Sequence, residues 1–198
     1  MKFFLSAFLT LAVTVLGLPS QGLTLPITYT ANLDGPSESP PNASPGTGFT
    51  TVIFDSAAHT LEIHATFSDL IGPTTAAHIH AATDSPFTGT AGVATQTPTF
   101  AGFPLGVTSG TYEHTFDLTL ASSWNPAFIA AQGGTPAGAE ASLDAALAAG
   151  KAYFNIHSTF RPGGEIRGFL VVPAPATLLL FGTGLAGLAG TRLRRKKQ

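Results

Sequence analysis

The sequence contains no cysteine. That excludes disulfide staples, thiolate metal sites and thiol nucleophiles, and leaves the redox compartment unmarked. Charge is scarce as well, with only 10% of residues being Asp, Glu, Lys or Arg, and basic residues are almost missing from the middle of the chain. Arg192, Arg194, Arg195, Lys196 and Lys197 crowd the C-terminus and Lys2 opens the chain, so only Lys151, Arg161 and Arg167 lie between. All eleven acidic residues fall between Asp34 and Glu165. The net charge of −2 therefore hides an acidic body, which repels phosphate backbones and argues against nucleic acid as a partner. No phosphate-cradling glycine loop and no Ser/His/Asp motif occurs, so nucleotide chemistry and nucleophilic hydrolysis have no support.

The apolar residues are concentrated first at the two ends. MKFFLSAFLTLAVTVLGLPSQG has one positive charge, an apolar run from Phe3 to Leu18, then Pro19 and small residues, the order of a secretory signal read by the Sec machinery. Residues 1–22 are expected to be that signal, with cleavage after Gly22; a retained membrane anchor is the alternative. At the far end, Val171 to Thr191 carries no charge, close to the roughly 20 residues that cross a bilayer as a helix. Pro173 and Pro175 break a helix at its entrance, and the Arg/Lys cluster holds the far end in the cytoplasm, leaving the body outside. This order of Pro-x-Pro, apolar Gly-rich helix and basic cluster resembles the PEP-CTERM sorting signal of Gram-negative bacteria, with Pro173-Ala174-Pro175 where the family usually has Pro-Glu-Pro. The resemblance implies a transient inner-membrane stage, cleavage by an exosortase-type membrane protease and a link to extracellular polysaccharide. A plain C-terminal anchor is the alternative for residues 173–198.

About 150 residues remain, enough for one domain with a real core. Glycine (22) and proline (15) are abundant, which suits short strands joined by turns. TLEIHATF places Leu61, Ile63, Ala65 and Phe67 on one side of a strand, and YEHTFDLTL does the same with Tyr112, His114, Phe116, Leu118 and Leu120. ITYTANL, GFTTVIFD, AAHIHA, KAYFNIHS and EIRGFLVV complete seven strand candidates, while AEASLDAALAAG, closed by Gly150, reads as one short helix. Residues 23–172 are thus expected to be all-β, an antiparallel sandwich or Greek-key barrel.

Three patterns carry possible chemistry. Residues two apart on a strand share a face, so His78 and His80 present two imidazoles together, and Tyr153, Asn155 and His157 align likewise on KAYFNIHS. A neighbouring strand would add His157 as a third nitrogen, a set that suits zinc or copper. Pro162-Gly163-Gly164 supplies a turn, after which Glu165 and Arg167 share a face. Glu165 would finish a metal shell or accept an imidazole N–H, with Arg167 neutralising it. The metal-free alternative joins the histidines, Asn155, Glu165 and Arg167 in a satisfied polar network that pins two strands. His59, His64 and His114 lack paired spacing and read as surface or strand-face residues.

The acidic, Gly-rich opening with Leu33, Glu38 and Pro41, followed by HIH, YFNIHS and RPGGEIRG, resembles the CHRD domain, first described in chordin and widespread in exported bacterial proteins. This implies a fold and a secreted setting more than a reaction. The paired strand histidines are also similar to those of copper/zinc superoxide dismutases, although the further histidines and bridging ligand of that family have no counterpart. Two functions follow as expectations. One is a non-catalytic exported protein acting at the envelope or matrix by binding polysaccharide or protein. The other is a metal-binding protein or metalloenzyme built on His78, His80, His157 and Glu165.

Overall fold

The structure, a computed structural model, describes residues 25–174. The signal segment and nearly all of the tail, including Pro175, Arg192, Arg194, Arg195, Lys196 and Lys197, lie outside the described residues. Among the described residues, no helix is long and apolar enough to cross a membrane.

All seven alternating segments are strands: β1 (Ile27–Asp34), β2 (Thr47–Asp55), β3 (Thr60–Ser68), β4 (Thr74–His80), β5 (Gly110–Asp117), β6 (Tyr153–Ser158) and β7 (Ile166–Phe169). They form one antiparallel sheet in the order β4-β6-β7-β1-β2-β3-β5, which curls so that its inner face makes the core. Leu33, Val52, Phe54, Leu61, Ile63, Ile79, Phe154 and Ile156 fill that core, each on the apolar side of its strand's two-residue period. The start of β4 meets the loop that leads into β5. Thr74, first in β4, donates its N–H to Val107 O (2.8 Å) and accepts from Gly106 N (2.9 Å), just ahead of β5.

Among the described residues, two α-helices and a 3-10 turn (Ala121–Ser123) stand where the sequence suggests one helix. The alanine-rich segment is α2 (Pro136–Ala148), capped by the Thr135 side chain on Gly138 N–H and buried through Ala139, Leu143, Ala146 and Leu147. A six-residue α1 (Pro126–Ala131) precedes it, capped by Asn125 with Pro126 in its first turn. β5 also stops earlier than the alternation suggests. The Asp117 carboxylate accepts from Thr119 N–H (2.9 Å) and bends the chain into a turn, so Leu118 stays buried while Leu120 is exposed.

The free edge of β4 is covered, as an unpaired edge must be to avoid pairing with another chain. Residues 91–100 run beside it. Ala94 and Phe100 donate to Ile79 O (3.0 Å) and Ala77 O (3.2 Å), while Thr95 Oγ1 and Thr99 Oγ1 accept from Ile79 N (2.9 Å) and Ala77 N (3.0 Å). This covering segment also builds one wall of the site.

Candidate metal centre

β4 pairs with β6 so that His78 lies opposite Asn155 and His80 opposite Tyr153. Their side chains leave the face opposite Ala77, Ile79, Phe154 and Ile156, which go to the core. His157, two residues beyond Asn155, sits diagonally from His78. The three rings cluster, with centroids 5.8 Å apart for His78–His80, 5.2 Å for His78–His157 and 5.7 Å for His80–His157.

Each ring uses one nitrogen on a main-chain carbonyl. His78 Nε2 meets Pro98 O at 2.7 Å, His80 Nδ1 meets Ala91 O at 2.9 Å, and His157 Nδ1 meets Pro162 O at 2.9 Å. A carbonyl can only accept, so each of these nitrogens carries the proton and the other carries a lone pair. Those other atoms, His78 Nδ1, His80 Nε2 and His157 Nε2, are buried and have no hydrogen-bond partner in the protein. One nitrogen from each ring lies within 4.8 Å of the other two. A triangle of that size has a point within about 2.8 Å of all three corners, so small rotamer adjustments reach the ~2.0–2.1 Å of a metal–nitrogen bond.

Burial favours the neutral rings. It pushes the pKa of His78 and of His80 down to about 4, against an opposing pull from the carbonyl each one bonds, and His157 repels both. Burial lowers His157 as well. At neutral pH, each of the three uncharged imidazoles therefore keeps one buried, unpartnered lone pair within the cluster. An unpaired buried acceptor costs ~1–3 kcal/mol, and three in one place are hard to explain without an electrophile between them. Carbonyls that fix the tautomer of each ring are the supports that metal-ligating histidines use.

Glu165 has neither of the roles expected for it. Its carboxylate is fully buried and accepts from Ser44 Oγ (2.6 Å), Ser158 Oγ, Ile71 N–H (2.6 Å) and Gly72 N–H (3.3 Å). Burial alone pushes its pKa up, but these four donors outweigh that and hold it below the usual carboxylate range. Nor does Arg167 neutralise it. Arg167 donates to Ser37 O and Gly89 O, lies 3.8 Å from Glu38, and places its guanidinium 4.7 Å above the Tyr153 ring. The histidines, Asn155, Glu165 and Arg167 thus do not close into one satisfied network, because the three imidazole nitrogens and Asn155 Oδ1 remain unpartnered.

Sequence reasoning missed several parts. Glu38 is buried beside Arg167, and burial, opposed by Arg167, pushes its pKa up to about 7. The sequence marks it as part of the CHRD-like opening, but nothing there pairs it with Arg167. The Ala91, Pro98 and Pro162 carbonyls carry no residue-type signal at all. Of the remaining histidines, His59 meets Glu140 at 3.0 Å and His64 meets Glu62 at 2.5 Å. His64 also forms a partly exposed group with Glu62 and Glu113, where surface carboxylates already supply it with a partner.

The model of the CHRD domain matches residues 29–170 and that of the PEP-CTERM protein-sorting motif matches residues 171–196. No curated protein and no solved structure matches the chain. The sorting motif implies export, transient membrane anchoring and processing by an exosortase, a membrane protease. With one family model spanning most of its length, the chain belongs to the CHRD-domain family and carries a PEP-CTERM sorting motif directly behind that domain.

Proposed function

We propose that this protein is delivered to the cell envelope or extracellular matrix and that its CHRD domain there holds a transition-metal ion, zinc or copper, on His78, His80 and His157. One observation carries the reading. Three clustered imidazoles each keep one buried nitrogen without a partner while the opposite nitrogen of each ring is fixed on a carbonyl. Nitrogen donors of this type select borderline metals over magnesium or calcium, which prefer oxygen. The acidic body adds a favourable field for a cation.

The test is metal content of the full-length protein purified in detergent, after exposure to zinc or copper and removal of loosely bound ion. Wild type retains about one equivalent, and His80→Ala loses it. His64→Ala, at the exposed Glu62–Glu113 group, retains it. Equal content in wild type and His80→Ala overturns the reading.

A further inference from the structure

Five buried side-chain atoms among the described residues lack a hydrogen-bond partner, and they are of two kinds. Three are the histidine nitrogens. The other two are oxygens, Asn155 Oδ1 and Glu38 Oε1, on residues 2% and 7% exposed. The oxygens lie together at a gap left by Gly164, where an added Cβ would come within 2.6 Å of Glu38 Oε1 and 2.7 Å of Asn155 Oδ1. Asn155 lies directly opposite His78 and shares a strand face with His157, two residues on. Lone pairs on nitrogen suit a Lewis acid, and the Asn155 amide oxygen, which can only accept, calls for a hydrogen donor. A metal ion carrying a water provides both.

Among the described residues, no acidic or sulfur side chain stands ready as a fourth ligand. Cysteine is absent and the only methionine is Met1. Glu165 is engaged by four donors, Glu38 faces Arg167, and of the described His, Asp and Glu residues only the three histidines gather at these rings. Closed structural sites use four protein ligands, whereas three leave an exchangeable position.

We propose that the ion held by His78, His80 and His157 carries a water as its fourth ligand, that Asn155 Oδ1 accepts a hydrogen bond from this water, and that small anions displace it. This rests on the metal reading above and deepens it. The site is thereby a ligand-exchanging centre open to small anionic or neutral oxygen and nitrogen donors. It is not a sealed structural ion.

Copper(II)-loaded full-length protein in detergent tests this, with pulsed electron paramagnetic resonance in D2O and titration with azide as the probe anion. Imidazole nitrogen couplings report the metal site. A strongly coupled exchangeable deuteron reports the inner-sphere water, and azide is expected to abolish it while adding a charge-transfer band. Imidazole couplings without the deuteron and without an azide response overturn the open position but keep the metal site. Absence of imidazole-bound copper overturns both. In Asn155→Ala, shown to be folded by circular dichroism, azide binds about fivefold more tightly, because the displaced water has lost one neutral hydrogen bond. An unchanged azide affinity removes Asn155 from the assignment.

Discussion

The rings of His80 and Tyr153 lie face to face across the β4–β6 pair, with centroids 4.9 Å apart and planes 5° from parallel. The same tyrosine reaches Ala91, the residue whose carbonyl holds His80 Nδ1, and carries the Arg167 guanidinium on its ring. One aromatic side chain thus sets both the tilt of a ligand ring and the place of its carbonyl support. Stacked rings contribute ~0.5–1.5 kcal/mol beyond their buried area, and outer supports of metal ligands typically change affinity 10–100-fold. Tyr153→Leu is expected to weaken metal binding about tenfold. Tyr153→Phe, which keeps the stack and loses only long contacts of 3.3–3.4 Å to Ala91, stays close to wild type. Competition with a chromophoric chelator measures both. Equal affinity in all three proteins would remove Tyr153 from the site.

Glu165 separates stability from binding. Its carboxylate ties the residue before β7 to Ser44, to Ser158 at the end of β6, and to the β3–β4 loop at Ile71 and Gly72. Glu165→Gln keeps the volume but turns an amide N–H2 toward groups that donate. The variant is expected to lose on the order of 3 kcal/mol in urea unfolding, the scale of a broken buried charge-assisted network, while still holding one equivalent of metal when folded. A variant of native stability that has lost its metal would reverse this assignment and restore Glu165 as a ligand.

How much could be read without coordinates depended on the range of the interaction. A half-buried strand writes its own period, so Leu61, Ile63, Ala65 and Phe67 announce β3, and the same rule put His78 beside His80 and Asn155 beside His157. α1 leaves little trace: Asn125-Pro126 is a good start signal, but six residues give too little periodicity to see. The partners of Glu165 and Arg167 were illegible for a different reason. Sharing a strand face predicts proximity to each other, but Ser44 lies 121 residues before Glu165 and Ser37 lies 130 before Arg167, and loop residues that distant leave no local trace. The carbonyls of Ala91 and Pro98 were hidden most completely. Every residue has a carbonyl, and only the path of residues 91–100 along β4 aims these two.

The tail makes a prediction independent of the metal. If the basic cluster holds the end of the apolar segment in the cytoplasm, replacing Arg192, Arg194, Arg195, Lys196 and Lys197 together with glutamine leaves the segment without its orienting charge. The expected result is a longer, unprocessed form that accumulates in membranes, seen as a size shift on immunoblots of fractionated cells. Normal size and normal surface delivery would count against the basic cluster as part of the signal.

Glu38 gives a pH signature of opposite sign to that of an ordinary paired carboxylate. Burial pushes its pKa up to about 7, with Asp34 adding to the rise and Arg167 and the Ser39 N–H opposing it, from an unfolded value of 4.5. Between those two values, the native state keeps a proton that the unfolded chain has released. Stability from this group is therefore highest below pH ~4.5, declines as pH rises toward about 7, and is level above. The histidines act in the other direction over part of the same range, since their lowered pKa values make the unfolded chain the better proton acceptor as pH falls below 6.5. Subtracting wild-type stability from that of Glu38→Gln cancels them, and the charges facing Glu38, those of Arg167 and Asp34, are present in both proteins. The difference should shift in favour of Glu38→Gln by on the order of 3 kcal/mol between pH 4.5 and 8. Urea midpoints at several pH values measure it. A difference independent of pH would mean that Glu38 ionises as freely in the folded protein as in the unfolded chain, and that the charge of Arg167 fully offsets the burial.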